Sequence, residues 1–449
     1  MDIVKPFIEK ALYPIMEKRK GNKTRQNIKE LINYQNMSQS DLHKLQENKL
    51  RKLLLESIKN VPAYQSYSDL KDEIEKNPFK ALLKFPILDK NLFMENPNSY
   101  LNQTVSKENL IPNCSGGSTG EPIRFYVDRY TVDYYEAARW RGLNWYDISM
   151  GSRSVMIWGN PLELNKNQTK KYYLKEKWLK NRIIIPAYSL NPENMIEYVE
   201  KISKFRPEYL YGYSSALYVF AELMIQLELT LPFKPKAIVS TSETLFDFQR
   251  DMIKKAFGCP IVNEYGARDA GMLAYECPCG SMHICSENVI LEVVDKKTLQ
   301  PVPYGKTGIV IATDLNNFSM PRLRYKLDDS VILTKDKCKC NMGLPVIEEI
   351  RGREDDMFVT VDGNFVHGHA FNHIARNLKS LSKFQIIQHS PSFAELSIIF
   401  KETNKKELDF FVEEAKKLLP KTEIKVKVVD DIPVNASGKY RYTIRKFKI

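Results

Sequence analysis

The sequence predicts an α/β protein in two parts: a large N-terminal domain with mainly parallel sheets plus a β-rich subdomain, and a small α/β C-terminal domain. Three observations predict it. Between residues 150 and 265 short apolar runs alternate with helical stretches, the pattern of strands joined by helical crossovers. From Val289 the helical stretches stop and strand-like runs follow one another (Ile290–Val294, Gly308–Ala312, Ser330–Leu333), which predicts an antiparallel or barrel-like subdomain. At Gly352-Arg-Glu-Asp-Asp356 a charged turn opens a last block with its own strand and helix pattern. The predicted domains are therefore 1–350 and 351–449. A chain of 449 residues exceeds one core, and about 150 residues per domain gives two to four units.

Residues 1–60 read as helices. Ile3, Phe7, Ile8, Ala11 and Leu12 recur at helical spacing, as do Leu50, Leu53, Leu54 and Ile58 before the Val61-Pro62 stop. A basic amphipathic start of this kind suits a membrane surface. The ordinary expectation is that it packs on its own domain, so no membrane contact is predicted. Asn113-Cys-Ser-Gly-Gly-Ser-Thr-Gly-Glu-Pro122 follows, between an apolar approach and the strand-like run Ile123–Val127. A helix is expected over Tyr130–Trp145, a strand over Ser154–Gly159, and a helix over Pro192–Lys204. Then come a strand at Tyr209–Tyr213, a helix starting at Ser214, a strand at Ala237–Thr241, a helix at Phe246–Phe257 and a strand at Pro260–Tyr265. Parallel strands of this kind gather ligands at their carboxyl ends. The C-terminal block contains the runs Phe384–Ile387 and Leu396–Phe400, a helix over Glu407–Leu419 and a strand over Ile424–Val429.

Composition sets bounds on function. A hydrophobic content of 43% is that of an ordinary globular protein, and 67 basic against 55 acidic residues give a net charge of +12. The cations are scattered and form no arm, which argues against dedicated nucleic-acid binding. No apolar run approaches the ~18 residues of a membrane span. The start of the chain lacks the cationic and apolar regions of a signal peptide, so a cytoplasmic protein is expected. Seven cysteines, an odd number, do not make a disulfide framework in a chain this size.

In the Asn113–Pro122 stretch, glycines let a ligand approach the backbone N–H groups, and Ser115, Ser118 and Thr119 add hydroxyls. Together they make a concave anion site suited to phosphate oxygens. It is not a Walker loop, because no Gly-Lys-Ser/Thr closes it. Five more stretches line up with it: Thr241-Ser-Glu-Thr244, Asn263-Glu-Tyr-Gly-Ala-Arg-Asp269, Arg322-Leu-Arg-Tyr-Lys-Leu-Asp-Asp329, Gly352–Asp356 and Val434-Asn-Ala-Ser-Gly-Lys-Tyr-Arg441. In this order the six resemble the adenylate-forming superfamily of acyl-CoA synthetases. The resemblance runs from about Leu50 to the end, and is nearest to the phenylacetate-CoA ligase-like branch, which includes members associated with capsule polysaccharide synthesis. Singly, Tyr265 reads as core, Asp329 as a turn acid and Lys439 as a solvated charge; six stretches in order outweigh those readings.

The resemblance implies a role for each residue. Ser115, Gly116, Gly117, Ser118, Thr119 and Gly120 would cradle the phosphates of ATP. Tyr265 would stack on adenine, with Gly266 allowing its approach and Ser242, Glu243 and Glu264 completing the nucleotide site. Asp269 would stand near Mg²⁺, a hard cation that prefers oxygen ligands. Asp329 would hold the ribose hydroxyls, an ionised carboxylate being a pure acceptor. Arg353 would add a cation near the ribose and phosphates, Asp355 would be the hinge, and Lys439 would bridge the carboxylate and α-phosphate. There are departures: Glu121 stands where many members carry lysine, Asp328 replaces the usual glycine, and Asp269 is shorter than the more common glutamate.

Five of the seven cysteines concentrate in Cys277-Pro-Cys-Gly-Ser-Met-His283, Cys285 and Cys338-Lys-Cys340. Two knuckles of Cys and His suit tetrahedral zinc. The residues alone leave the ligand set open, and the resemblance favours Cys277, His283, Cys338 and Cys340, with Cys279 as the alternative. His367, His369 and His373 have no acid or cysteine beside them and are not expected to bind metal.

The expected function is an ATP-dependent ligase that activates a carboxylic acid as acyl-AMP and transfers the acyl group to coenzyme A. An amine acceptor, such as an amino sugar or amino acid, is the alternative within the enzyme class. A non-catalytic nucleotide-binding module is the alternative outside it, against which Lys439 and Asp329 argue. The acid is not fixed, although Tyr135, Tyr211, Tyr213 and Phe220 are candidates to line its pocket. Oligomeric state is open between monomer and homodimer.

Overall fold

The computed structural model describes residues 4–114, 123–158, 166–353, 357–363, 365–367, 371, 374–375, 378, 380–400, 402, 404–433 and 441–447. They form two compact units, Met1–Arg351 and Gly352–Ile449. Among the described residues no helix is long and apolar enough to cross a membrane.

The first unit is built on one sheet. Its parallel half consists of β3 (Ser154–Trp158), β4 (Arg182–Pro186), β5 (Tyr209–Tyr213), β6 (Ala237–Thr241) and β7 (Ile261–Ala267). Ahead of these, β1 (Ile111–Cys114) and β2 (Arg124–Val127) form a separate antiparallel hairpin. The antiparallel half consists of β8 (Gly271–Glu276), β9 (Met282–Ile284), β10 (Val289–Val294), β11 (Thr307–Asp314), β12 (Tyr325–Thr334) and β13 (Val346–Arg353). The order across all 11 strands is β10-β11-β12-β13-β9-β8-β7-β6-β5-β3-β4.

The strands after Val289 pair antiparallel, one of the two arrangements the sequence suggested, and they continue the main sheet instead of closing a barrel-like subdomain. The reason is the β7–β8 hairpin, which reverses the chain and hands the parallel half on to antiparallel neighbours. Periodicity does not reveal β4, β8 or β9, because they are short and lie beside charged or cysteine-rich segments. Asp329 lies inside β12, which begins at Tyr325, ahead of the strand-like run Ser330–Leu333 read from the sequence.

Both faces of the parallel half are covered, so alternation survives as a choice between two cores. Leu210 and Ile238 pack with Leu217, Phe220, Met224 and Ile253 from helices Ser214–Gln226 and Asp247–Phe257. Their neighbours Tyr209, Tyr211 and Val239 face the other way, onto Ile28 and Leu31 of helix Thr24–Tyr34 and Ala137 and Ala138 of helix Arg129–Asn144. Asp128 caps the latter helix, its carboxylate accepting from the Thr131 N–H. Gly142 lets that helix lie directly on the Tyr275 ring, where a Cβ would collide. Helix Gln39–Asn60 buries Leu50, Leu53, Leu54 and Ile58 against the antiparallel half, with Val310, Ala312 and Leu323.

The second unit has β14 (Met357–Val359) paired with β15 (Phe365–His367). Its main sheet is formed by β16 (Leu381–Ser390), β17 (Phe393–Phe400), β18 (Glu423–Val428) and β19 (Thr443–Arg445), in the order β18-β17-β16-β19. Helix Lys405–Leu418 buries Phe411 and Ala415 against Phe384, Ile386, Leu396 and Ile398. Buried Gln388 ties β14 to the sheet through both bonds to the Val359 backbone, 3.0 and 2.7 Å.

Candidate functional site

The carboxyl ends of β5 and β6, Tyr213 and Thr241, lie in register with Glu264 in the middle of β7. Glu264 is the hub. Its carboxylate accepts from the Tyr211 hydroxyl (2.6 Å), the Thr241 hydroxyl (3.1 Å) and Arg139 Nε (3.2 Å). Arg139 also lies over the Tyr211 ring, 5.5 Å from its centroid. Burial raises the Tyr211 pKa, which keeps the phenol neutral and a donor to the carboxylate.

A β-bulge follows, between Tyr265 and Gly266, and such irregularities re-aim side chains beside functional sites. Tyr265 is half-buried and Gly266 exposed. The Tyr265 hydroxyl donates to Asp329 Oδ2 at 3.0 Å, joining two candidate residues 64 positions apart. Asp269 lies in the turn to β8, where its carboxylate accepts from the Tyr325 hydroxyl (3.1 Å) and its carbonyl from Arg322 Nε (2.8 Å). Arg268 reaches the Cys114 carbonyl, the last described atom group before the glycine loop. That loop connects the two strands of the β1–β2 hairpin, and the hairpin's register closes at Cys114 opposite Arg124.

Ser242 and Glu243 form the turn after β6. Ser242 has φ +67, a conformation rare for a residue with a Cβ. The Glu243 carboxylate accepts from the Ser215 N–H (2.9 Å), at the start of helix Ser214–Gln226. Negative charge is favourable there. Behind Asp269, Gly271 at φ +83 leaves room for the Tyr135 ring, which a Cβ would meet. Tyr135 donates to Asp314, whose carboxyl burial pushes up to about 6.

Of the four candidate pocket aromatics, Tyr135, Tyr211 and Tyr213 lie around this region. Phe220 does not: it is core, fully buried and stacked on Phe257. The sequence reasoning missed Trp158, which ends β3 and stacks on Tyr213 with centroids 4.1 Å apart. Its position at a strand's carboxyl end was the available signal. Arg139 was missed too, and no local pattern marks it.

The cysteines converge elsewhere in the first unit. Cys277 follows β8, His283 lies on β9, and Cys338 and Cys340 sit in the connection before β13. Their ligand atoms all lie within 4.8 Å of one another, with Cys277 Sγ 3.6 Å from Cys338 Sγ and Cys340 Sγ 3.2 Å from His283 Nε2. A disulfide needs about 2.0 Å. A zinc tetrahedron with Zn–S of ~2.3 Å has sulfur–sulfur edges of about 3.8 Å. His283 Nδ1 faces the Leu344 carbonyl at 3.1 Å, which directs Nε2 into the cluster. Burial opposes ionisation of Cys338, but hydrogen bonds from Ser281, Cys340 and His283 hold its thiol down to about 6. Cys279 is exposed and outside the group, and Cys285 is buried against Arg141.

Residues 358–446 match the family model described as the CapK C-terminal domain. The chain is 31% identical over 268 residues to protein CapK of Staphylococcus aureus, a match covering 56% of this chain and 55% of that one. The match thus spans about half the length of that relative. Over 342 residues it is 24% identical to the phenylacetate-coenzyme A ligase of Thermus thermophilus, covering 72% of this chain and 74% of the other. A solved 2-hydroxyisobutyryl-CoA ligase, in the postadenylation state with R3-HIB-AMP, has the same fold. Its TM-score is 0.71 at 17% identity, over 92% of this chain and 91% of that one. The chain thus shares the fold of that ligase and is similar in sequence to CapK and to a phenylacetate-coenzyme A ligase.

The described part of the site brings together Glu264, Tyr265, Gly266 and Asp329, with Asp269 in the turn that follows β7. Ser115–Gly120, Glu121, Asp355, Lys439, His369 and His373 lie outside the described residues. Arg353 and Asp328 are described as backbone positions in β13 and β12.

Proposed function

We propose that this protein is an ATP-dependent ligase that joins a carboxylic acid to AMP and passes the acyl group to coenzyme A. The Tyr265–Asp329 hydrogen bond carries the reading. It links the ring proposed to stack on adenine with the carboxylate proposed to hold the ribose hydroxyls, at the sheet end where such ligands gather.

In the first half-reaction a carboxylate oxygen of the acid attacks the α-phosphorus of ATP and pyrophosphate leaves. The proposed roles follow the charge. Ser115–Gly120 donate to phosphate oxygens, while Lys439 and Arg353 neutralise charge that builds up at the phosphoryl group. Asp269 is the proposed carboxylate for Mg²⁺, and its half-buried side chain suits a hard cation. Glu264 has its oxygens occupied by Tyr211, Thr241 and Arg139, so its proposed part is to hold those groups beside Tyr265. Glu243 acts as a helix cap that fixes the Ser242 turn. In the second half-reaction the acceptor thiolate attacks the acyl carbonyl and AMP leaves, after rotation of the C-terminal unit about Asp355.

Cys277, His283, Cys338 and Cys340 are proposed to hold one zinc ion. Three thiols and an oriented imidazole are the donor set of a closed structural site. Zinc there would fasten the knuckles to the N-terminal helices. Gly343 donates to the Gln35 carbonyl (2.9 Å), and Trp145, whose indole donates to the Gln35 side chain (2.8 Å), packs against His283.

A pyrophosphate-exchange screen over aryl, fatty and amino acids tests the activity, followed by competition between coenzyme A and amines as acceptors. No acid-dependent exchange with any class would favour a non-catalytic nucleotide-binding protein. Exchange with amide as the product would reassign the acceptor.

A further inference from the structure

The three most exposed large apolar residues described are Ile15 (64%), Trp178 (61%) and Phe7 (59%). All three lie on two neighbouring segments of the first unit: the helical stretch Val4–Lys20, with its π-turn at Ile8–Leu12, and helix Lys166–Lys180, which packs beside that turn. Leu174, also exposed, stands one turn before Trp178.

Both segments use one face to bind their own domain. Ile8 and Glu17 are buried on the first, and Glu176 on the second. Two of the acids turn inward with them, Glu17 pairing with Arg25 and Glu176 with Lys180 and Arg182, while Glu9 is half-buried. The outward faces carry cations instead. Lys10 and Lys18 are exposed with Phe7 and Ile15, and Lys171 and Lys175 share a helical face with Leu174 and Trp178. Lys177 lies over the Trp178 ring, 5.8 Å from its centroid.

We propose that this surface docks on an anionic lipid bilayer. Exposed aliphatic and aromatic side chains enter the headgroup boundary, where tryptophan is favoured, and flanking lysines pair with lipid phosphates. Charge decides among occupants: a second copy would set lysines against lysines, whereas an anionic membrane complements them. The sequence expectation that the N-terminal helix packs on its own domain holds for its inner face and leaves this outer face unused.

Co-sedimentation of the full chain with vesicles tests the proposal, using phosphatidylcholine alone and with about 30% phosphatidylglycerol. Binding is expected to the mixed vesicles, and to fall steeply in about 0.5 M salt. Phe7→Ser with Trp178→Ser, and separately Lys171→Glu with Lys175→Glu, should each weaken it by about tenfold or more. All four positions are exposed, and an unchanged melting temperature checks the fold. The proposal is overturned by absence of binding to the mixed vesicles, by equal binding to neutral ones, or by variants that bind as well as the parent. It also falls if sedimentation velocity shows a dimer that Phe7→Ser with Trp178→Ser dissolves.

Discussion

Removing the Glu264 carboxylate should loosen the N-terminal unit from the site outward. The Glu264 side chain is 3% exposed and its partner Arg139 34%. Stranding one member of a fully buried pair costs about 3–5 kcal/mol. Arg139 reaches solvent, so screening reduces that part to about 1–2 kcal/mol. Tyr211 and Thr241 also lose their acceptor, at about 1 kcal/mol each. Glu264→Ala should therefore cost about 3–4 kcal/mol. Glu264→Gln keeps an oxygen for one hydroxyl and loses the charge, so about 1–2 kcal/mol is expected. All four tryptophans (Trp140, Trp145, Trp158 and Trp178) lie in the first unit, so urea unfolding followed by tryptophan fluorescence reads that unit alone. If both variants unfold within about 0.5 kcal/mol of the parent, the carboxylate is not the hub of this region.

Elemental analysis of purified protein should find one zinc per chain, and strong chelation should lower its melting temperature, because the metal binds only the folded state. Cys338→Ser should mimic chelation while Cys279→Ser should not; unchanged stability after metal removal would retire the site. Asp314 has a folded pKa raised from 3.8 to about 6 by burial, so its contribution is complete below the unfolded value and lost as pH rises through about 6. A loss of about 3 kcal/mol is expected across that window, and Asp314→Asn should flatten it; parallel pH–stability curves would contradict this. Asp355→Pro fixes φ at the proposed hinge and should separate the half-reactions, with adenylation persisting and acyl transfer falling by about tenfold or more. Single-turnover assays showing both half-reactions retained equally would mean the turn is not the hinge.

Much of the architecture was legible because most of the parallel strands are short apolar runs set between helical stretches, as in Tyr209–Tyr213 and Ala237–Thr241. The cysteine cluster was legible from clustering, although the exclusion of Cys279 needed the fold, since it stands only two residues from Cys277. Sheet continuity was not legible: the reversal at β7–β8 depends on a turn at Arg268–Ala270 and on strands too short to show a period. Arg139 and Trp158 were hidden for another reason. Arg139 meets Glu264 across 125 residues, and a helical arginine among aromatics looks like any half-solvated face. Phe7 shows the limit of periodicity: it shares the helical repeat with Ile8, yet the fold buries Ile8 and turns Phe7 outward.

The central claim is adenylation, and acid-dependent exchange of pyrophosphate into ATP measures it most directly. With a competent acid the parent should exchange. Lys439→Ala should lose about 3–4 kcal/mol of transition-state stabilisation, a fall of several hundredfold, with its melting temperature unchanged. Asp329→Ala should raise the ATP requirement by removing the proposed ribose contact. Exchange by Lys439→Ala within about twofold of the parent would contradict the account, because the charge proposed to drive acyl-AMP formation would then come from elsewhere.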